Sequence, residues 1–193
     1  GAVHWGQHGL VQAATGGVGL VAVQCLKQIG VQVVATAGRA EKQSYLRGCG
    51  VQLVSTTRDV TVFVTETRSV LGEGRELGLV LNSLSHDKYI PSAAGLIAQG
   101  GSFVEIGKRG IWSRAQMATQ QLQARYKLVA MDGQCALDPV WQHSGLQGLS
   151  RGDTGCSSGV QPLPLHVFEL QKSGVDAFRL LQQANQIGKV VMA

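Results

Sequence analysis

Acidic residues are scarce at the start of this chain: no Asp or Glu precedes Glu41, and Lys27 and Arg39 are the only full side-chain charges before it. Such a stretch suits an anionic ligand, because nearby carboxylates would repel it. No apolar run approaches the roughly 18 residues a membrane span requires, and the N-terminus shows no charged region leading into an apolar one. Neither a membrane nor a secretory address is expected. Aromatics make up only 5% and no basic run exists, so the net charge of +5 does not indicate a nucleic-acid partner. Cys25, Cys49, Cys135 and Cys156 form no C-x-x-C pair and no Cys/His ligand spacing, so neither zinc nor a disulfide framework is indicated; no metal is expected. Cys25 falls on an apolar helical face and reads as a core thiol. His4, His8, His86, His143 and His166 make no relay pattern, and no G-x-S-x-G elbow is present.

What is present is enough for one domain with a buried core: 193 residues, 44% hydrophobic and 15% charged, with 26 glycines in no Gly-X-Y period. A soluble, cytoplasmic globular domain is expected. Leu10–Ala14 is a short apolar run ending at Thr15-Gly16-Gly17-Val18-Gly19. Val18, Val21, Ala22, Cys25 and Ile29 then recur at helical spacing up to Gly30. Further on, Val31–Thr36, Val51–Ser55, Leu79–Leu81, Ser102–Ile106 and Lys127–Met131 read as strands. Glu41–Arg47, Val60–Leu71, Pro91–Ala98 and Ala115–Ala124 read as helices between them. Alternation every 20 to 25 residues or so predicts an α/β fold, a Rossmann-like doubly wound parallel sheet with helices on both faces. Asp138–Pro164 breaks the rhythm and reads as irregular, with loop character around Arg151–Gly155 and Cys156–Gly159. The organisation expected is a core over 1–135, an irregular insertion over 136–163 and a strand–helix–strand tail over 164–193. In that tail the strand falls near His166–Leu170, the helix near Val175–Gln183 and the last strand at Lys189–Met192.

Ala14-Thr15-Gly16-Gly17-Val18-Gly19 is an A-x-G-x-x-G turn between a predicted strand and a predicted helix, the context of a dinucleotide-binding fingerprint. One glycine permits the tight turn, one the approach of a pyrophosphate and the last close helix–strand packing, while the helix start offers free N–H groups to the anion. About 20 residues further on, an NAD site carries an acid for the ribose hydroxyls. Thr36-Ala37-Gly38-Arg39 stands there instead, and Arg39, Lys42 and Arg58 are at hand for a 2′-phosphate, which points to NADPH. At other strand ends, Asn82 and Ser83 can bond a ribose or carboxamide, Gly107 admits a flat ring, and Lys108 and Asp132 form a candidate proton-delivering pair.

Gln12–Gly19, Ala35–Gly38 with Glu41-Lys42, Val80–Leu84, Phe103–Lys108, Arg125–Lys127 with Asp132, Ala177–Arg179 and Ile187–Val191 together resemble the enoyl reductase domain of modular polyketide synthases. That group belongs to the zinc-free medium-chain reductases and is similar to the animal fatty acid synthase reductase. The resemblance implies NADPH-dependent reduction of a trans-2-enoyl thioester on an acyl carrier protein, within a multidomain synthase. It implies Lys42 and Arg58 as 2′-phosphate ligands, Lys108 as proton donor and Asp132 as its partner. Thr15, Gly16, Gly17, Val18, Gly38, Arg39, Lys42, Arg58, Asn82, Ser83, Leu84, Ile106 and Gly107 are the expected cofactor-binding set. Three departures stand out: no barrel-like substrate domain precedes the fingerprint, Gly78 and Gly110 occupy positions where aspartate is common, and the 151–160 stretch is rich in Gly and Ser. They predict a nucleotide-binding subdomain that is a poor catalyst by itself. A piece of a free-standing quinone or enone reductase, and a non-catalytic remnant, are the alternatives.

Overall fold

The computed structural model describes residues 3–4, 6–84, 88–119, 124–151 and 160–193. Six strands, β1 (His8–Val11), β2 (Gln32–Thr36), β3 (Leu53–Ser55), β4 (Leu77–Asn82), β5 (Ile97–Glu105) and β6 (Arg125–Leu128), pair in the order β3-β2-β1-β4-β5-β6. Every pair is parallel. Along β1 and β2, alternate residues point to opposite faces. Leu10 and Val34 pack with Phe63, Val80 and Phe103 on one side, and Val11, Val33 and Ala35 pack with Leu20, Val23 and Leu26 on the other. Both faces are therefore apolar and covered, as a parallel sheet requires.

Helix α1 (Gly17–Gln28) covers one face and α3 (Val60–Leu71) the other, while α2 (Ala40–Gly48) links β2 to β3. The bounds of α3 are those the apolar spacing predicts, and Asp59 starts it by accepting from the amides of Thr61 and Val62 at 2.8 and 3.1 Å. Two expectations need correction. The helix expected over Pro91–Ala98 is the shorter α4 (Tyr89–Ala94), and Ile97 and Ala98 open β5 instead. Gly95 terminates the helix, and the buried Ile97 pairs with Leu77 before the register shifts. Helix α5 (Arg114–Thr119) starts a residue early, and 120–123 lie outside the described residues.

The second correction concerns the segment after β6. That strand ends at Leu128 and not at Met131, which opens α6 (Met131–Leu137), and α7 (Pro139–Arg151) follows where irregular chain was expected. Asp138-Pro139, read as a break, is a helix start: the Asp138 carboxylate accepts from the Trp141 amide at 2.9 Å and Pro139 takes the first helical position. Of the loop predicted at Arg151–Gly159, Arg151 is the last residue of α7, and 152–159 lie outside the described residues. The tail forms a second, two-stranded parallel sheet, β7 (Leu165–Phe168) with β8 (Lys189–Met192), joined by α8 (Leu170–Gln182). Gly188 docks this unit on the start of α1. Its amide donates to the Thr15 carbonyl at 2.9 Å, and its φ of +83° places any side chain against the Pro164 carbonyl. Val167, Val175 and Phe178 in this unit are each more than half exposed. Among the described residues no helix is long and apolar enough to cross a membrane.

Candidate functional site

Strand order reverses between β1's two neighbours, β2 and β4, and a crevice opens beyond the carboxyl ends of the strands there. Gln12, buried directly after β1, pins the crevice floor. Its amide donates to the Leu81 carbonyl, and its side-chain oxygen accepts from the amides of Ser83 and Leu84 at 3.3 and 3.1 Å. Ala13 takes a left-handed conformation with φ +47°, held by its amide's bond to Thr36 Oγ1 at 3.1 Å. The chain therefore turns sharply and enters α1 with its first-turn amides facing the crevice.

No side chain caps α1 and no acid lies in its first turn, so the positive end of the helix dipole is uncompensated. A cleft of about 270 Å³ adjoins it, lined by Gln12, Ala13, Gly16, Gly17, Val18, Gly19, Leu81, Ser83, Ile106 and Lys189. Lys189, the first residue of β8, lies across Gly17: a Cβ there would be 2.6 Å from the Lys189 ammonium nitrogen. The helix start thus has a long-stemmed cation beside its free amides. Gly19 is the packing glycine, because a Cβ would stand 2.6 Å from the Cα of Ala14.

A second pocket of about 240 Å³ shares Ala13 with the first and is lined by Thr15, Ala37, Gly38, Arg39, Lys42, Thr57, Arg58, Leu84, Gln183 and Ala184. Its lining holds three cations and no carboxylate. Burial, and then the neighbouring Arg39 charge, hold the Lys42 ammonium below its usual 10.5. Arg39 is steadied by donating to the Gln183 carbonyl at 3.1 Å. Two pockets that share Ala13 in their walls, one facing a helix start and one ringed by cations, suit a diphosphate joined to a phosphorylated ribose.

At the third strand end, Lys108 and Asp132 meet at 2.9 Å with side chains 75% and 66% exposed. The hydrogen bond from Lys108 holds the Asp132 carboxyl below the usual carboxylate range. The pair therefore persists above that lowered value and is lost as pH falls through it. Asn82 is placed otherwise than as a ligand-facing group. It is fully buried beneath the crevice, donating to the Glu105 carboxylate at 2.6 Å, while Ser83 and Ile106 line the cleft. Gly107 stands after β5 with its amide bound to Glu105 at 2.7 Å.

The structure thus gathers Gly16, Gly17 and Val18 in one pocket with Ser83 and Ile106, and Thr15, Gly38, Arg39, Lys42, Arg58 and Leu84 in the other. Sequence reasoning missed Gln12, Glu105, Gln183 and Lys189. A lone acid inside the apolar run Phe103–Ile106 was a legible signal for Glu105. Nothing local marked Lys189, which reaches the site only through the Gly16–Gly188 bridge.

Residues 17–134 match the zinc-binding dehydrogenase family. The chain belongs to that family. Over 190 residues this dehydrogenase-family chain is 32% identical to a phenolphthiocerol/phthiocerol polyketide synthase of Mycobacterium tuberculosis, covering 97% of the chain and 8% of the synthase. The nucleotide-binding subdomain of the enoylreductase domain of PpsC from M. tuberculosis is 31% identical with a TM-score of 0.65, over 78% of this chain and 86% of that one. The CurF enoyl reductase-type cyclopropanase of curacin A biosynthesis is 33% identical with a TM-score of 0.89, over 99% of this chain and 56% of that one. The chain is thus similar over most of its length to an enoyl reductase subdomain and to parts of much longer synthases. Among the described residues no three His, Cys, Asp or Glu side chains cluster to hold a metal, so the donors for a zinc site are not assembled here.

Proposed function

We propose that this chain is the NADPH-binding part of an enoyl reductase that reduces trans-2-enoyl thioesters held on an acyl carrier protein, among the other domains of a polyketide synthase. The observation that carries the reading is the pair of pockets that share Ala13: one at an acid-free helix start next to Lys189, the other ringed by Arg39, Lys42 and Arg58. The first-turn amides of α1 and Lys189 hold the pyrophosphate. Lys42, Arg58 and Arg39 hold the 2′-phosphate, and Ser83 and Ile106 border the nicotinamide. When bound, the cofactor supplies a hydride for the substrate's β-carbon. Lys108 delivers a proton at the α-carbon, and Asp132 orients its ammonium through their hydrogen bond.

Two substitutions separate the two phosphate contacts. A charge-assisted hydrogen bond contributes about 1.5–3 kcal/mol, or roughly 10- to 100-fold in affinity. Lys42→Ala is expected to weaken NADPH by that factor and leave NADH unchanged. Lys189→Ala is expected to weaken both dinucleotides alike, since both carry the pyrophosphate. Calorimetric titration of the two variants checks this. If Lys42→Ala weakened NADH as much as NADPH, or if neither variant changed any affinity, the assignment would be wrong.

A further inference from the structure

Glu105 is fully buried, yet the ends of three strands meet at it. It lies in register with Asn82 of β4 on one side and Leu128 of β6 on the other. Its carbonyl accepts from the Val129 amide at 2.8 Å. Its carboxylate oxygens are divided between two loops, one accepting from Asn82 Nδ2 at 2.6 Å and the other from the Gly107 amide at 2.7 Å. Asn82 also donates to the Leu84 carbonyl at 3.3 Å, so Ser83 and Leu84 are held between the Asn82–Glu105 pair below and Gln12 beside them.

Resting on the cofactor reading above, we propose that Glu105 is a positioning residue that sets the nicotinamide end of the cleft without entering it. A buried carboxylate costs desolvation, and an apolar side chain would serve the sheet's stability as well or better. What an apolar side chain cannot do is fix the loop after β4 and the loop after β5 to one rigid point. Those two loops carry Ser83 and Ile106 on the cleft wall and, next to Gly107, Lys108. Burial pushes the Glu105 carboxyl above the usual range, and the Gly107 and Asn82 donors restrain that rise, as expected of a carboxylate retained for its geometry.

Both oxygens must accept, which makes Glu105→Gln informative despite its near-identical shape. The new amide nitrogen has to face either the Gly107 amide, setting donor against donor, or Asn82, which must then flip to offer its Oδ1 and so gives up its bond to the Leu84 carbonyl; either way one loop is released. The test compares two ligands on the same chain: NADPH, and 2′,5′-ADP, which has the phosphorylated adenosine half but no nicotinamide. Glu105→Gln is expected to weaken NADPH by about tenfold and 2′,5′-ADP by a clearly smaller factor, since of the residues lining the cation-ringed pocket Leu84 alone lies on a loop that Glu105 holds. Asn82→Ala, which removes one donor from the same carboxylate, is expected to show the same selective loss, and it decides the matter if Glu105→Gln does not fold. Equal weakening of both ligands would mean that Glu105 only supports the fold, and no weakening of NADPH would mean that it positions nothing; either overturns the inference. If the unaltered chain bound neither ligand, the cofactor reading would fall first and this inference with it.

Discussion

Lys108→Ala is expected to lower kcat about 100- to 10,000-fold, the usual contribution of a positioned general acid. The measurement belongs in a reductase of the solved neighbours' full length that carries this chain, with an enoyl thioester on an acyl carrier protein as substrate. The Lys108 side chain is 75% exposed and pairs with the also exposed Asp132, so its loss leaves the core untouched. NADPH affinity is therefore expected to stay unchanged while turnover falls. Lys108→Arg sharpens the test, because a guanidinium keeps the positive charge but does not give up a proton in a protein. If Lys108 acts as proton donor, arginine rescues little. If it acts only as a charge, arginine restores most of the rate. Asp132→Ala is expected to lower kcat less than Lys108→Ala does, since it removes the partner and not the donor. Wild-type turnover in both alanine variants would remove the pair from the mechanism.

Gly19→Val is expected to be the most damaging substitution for stability among those at the site. The added Cβ meets the Cα of Ala14 at 2.6 Å and the Ala13 carbonyl oxygen at 2.8 Å, and backbone atoms cannot rotate away as a side chain end can. Overpacking of this kind costs about 3 kcal/mol. For a chain of this size that corresponds to a fall in melting temperature of roughly 6–12 °C. Because α1 must move off β1 to admit the side chain, its first-turn amides also leave the crevice, and NADPH affinity falls with stability. Val62→Ala on the exposed side of α3 serves as the control, with an expected change within about 0.5 kcal/mol. A Gly19→Val chain that melts with the unaltered one would show that helix and strand are not in the close contact described.

The parts of this molecule that could be read from the sequence are those fixed by short-range chemistry. The turn Ala14–Gly19 declares itself because strand, glycines and helix are consecutive, and α3 because Val60–Leu71 reads as a helix before the turn at Gly72. Even the absence of an acid after β2 translates directly into the cation-ringed pocket around Gly38. The misreadings share a different cause. Asp138-Pro139 is ambiguous in one dimension, since the same pair ends a helix or starts one, and the outcome depends on whether the Asp138 carboxylate finds the Trp141 amide. Asn82 looks like a ligand-facing polar residue at a strand end, but the register of β4 on β5 sets it directly opposite Glu105 and turns it inward. Lys189 reaches the helix start only after β7, α8 and β8 have folded as a unit and Gly188 has bridged to Gly16. Register and docking are long-range facts, and no local pattern carries them.

The crevice beyond β1 and β4 is proposed to take a dinucleotide whose ribose bears a 2′-phosphate. Calorimetric titration of the unaltered chain with NADPH and with NADH tests it most directly. Loss of the contacts to Lys42 and Arg58 is expected to make NADH bind at least about tenfold more weakly than NADPH. Failure to bind either dinucleotide, or an affinity for NADH equal to or above that for NADPH, would contradict it.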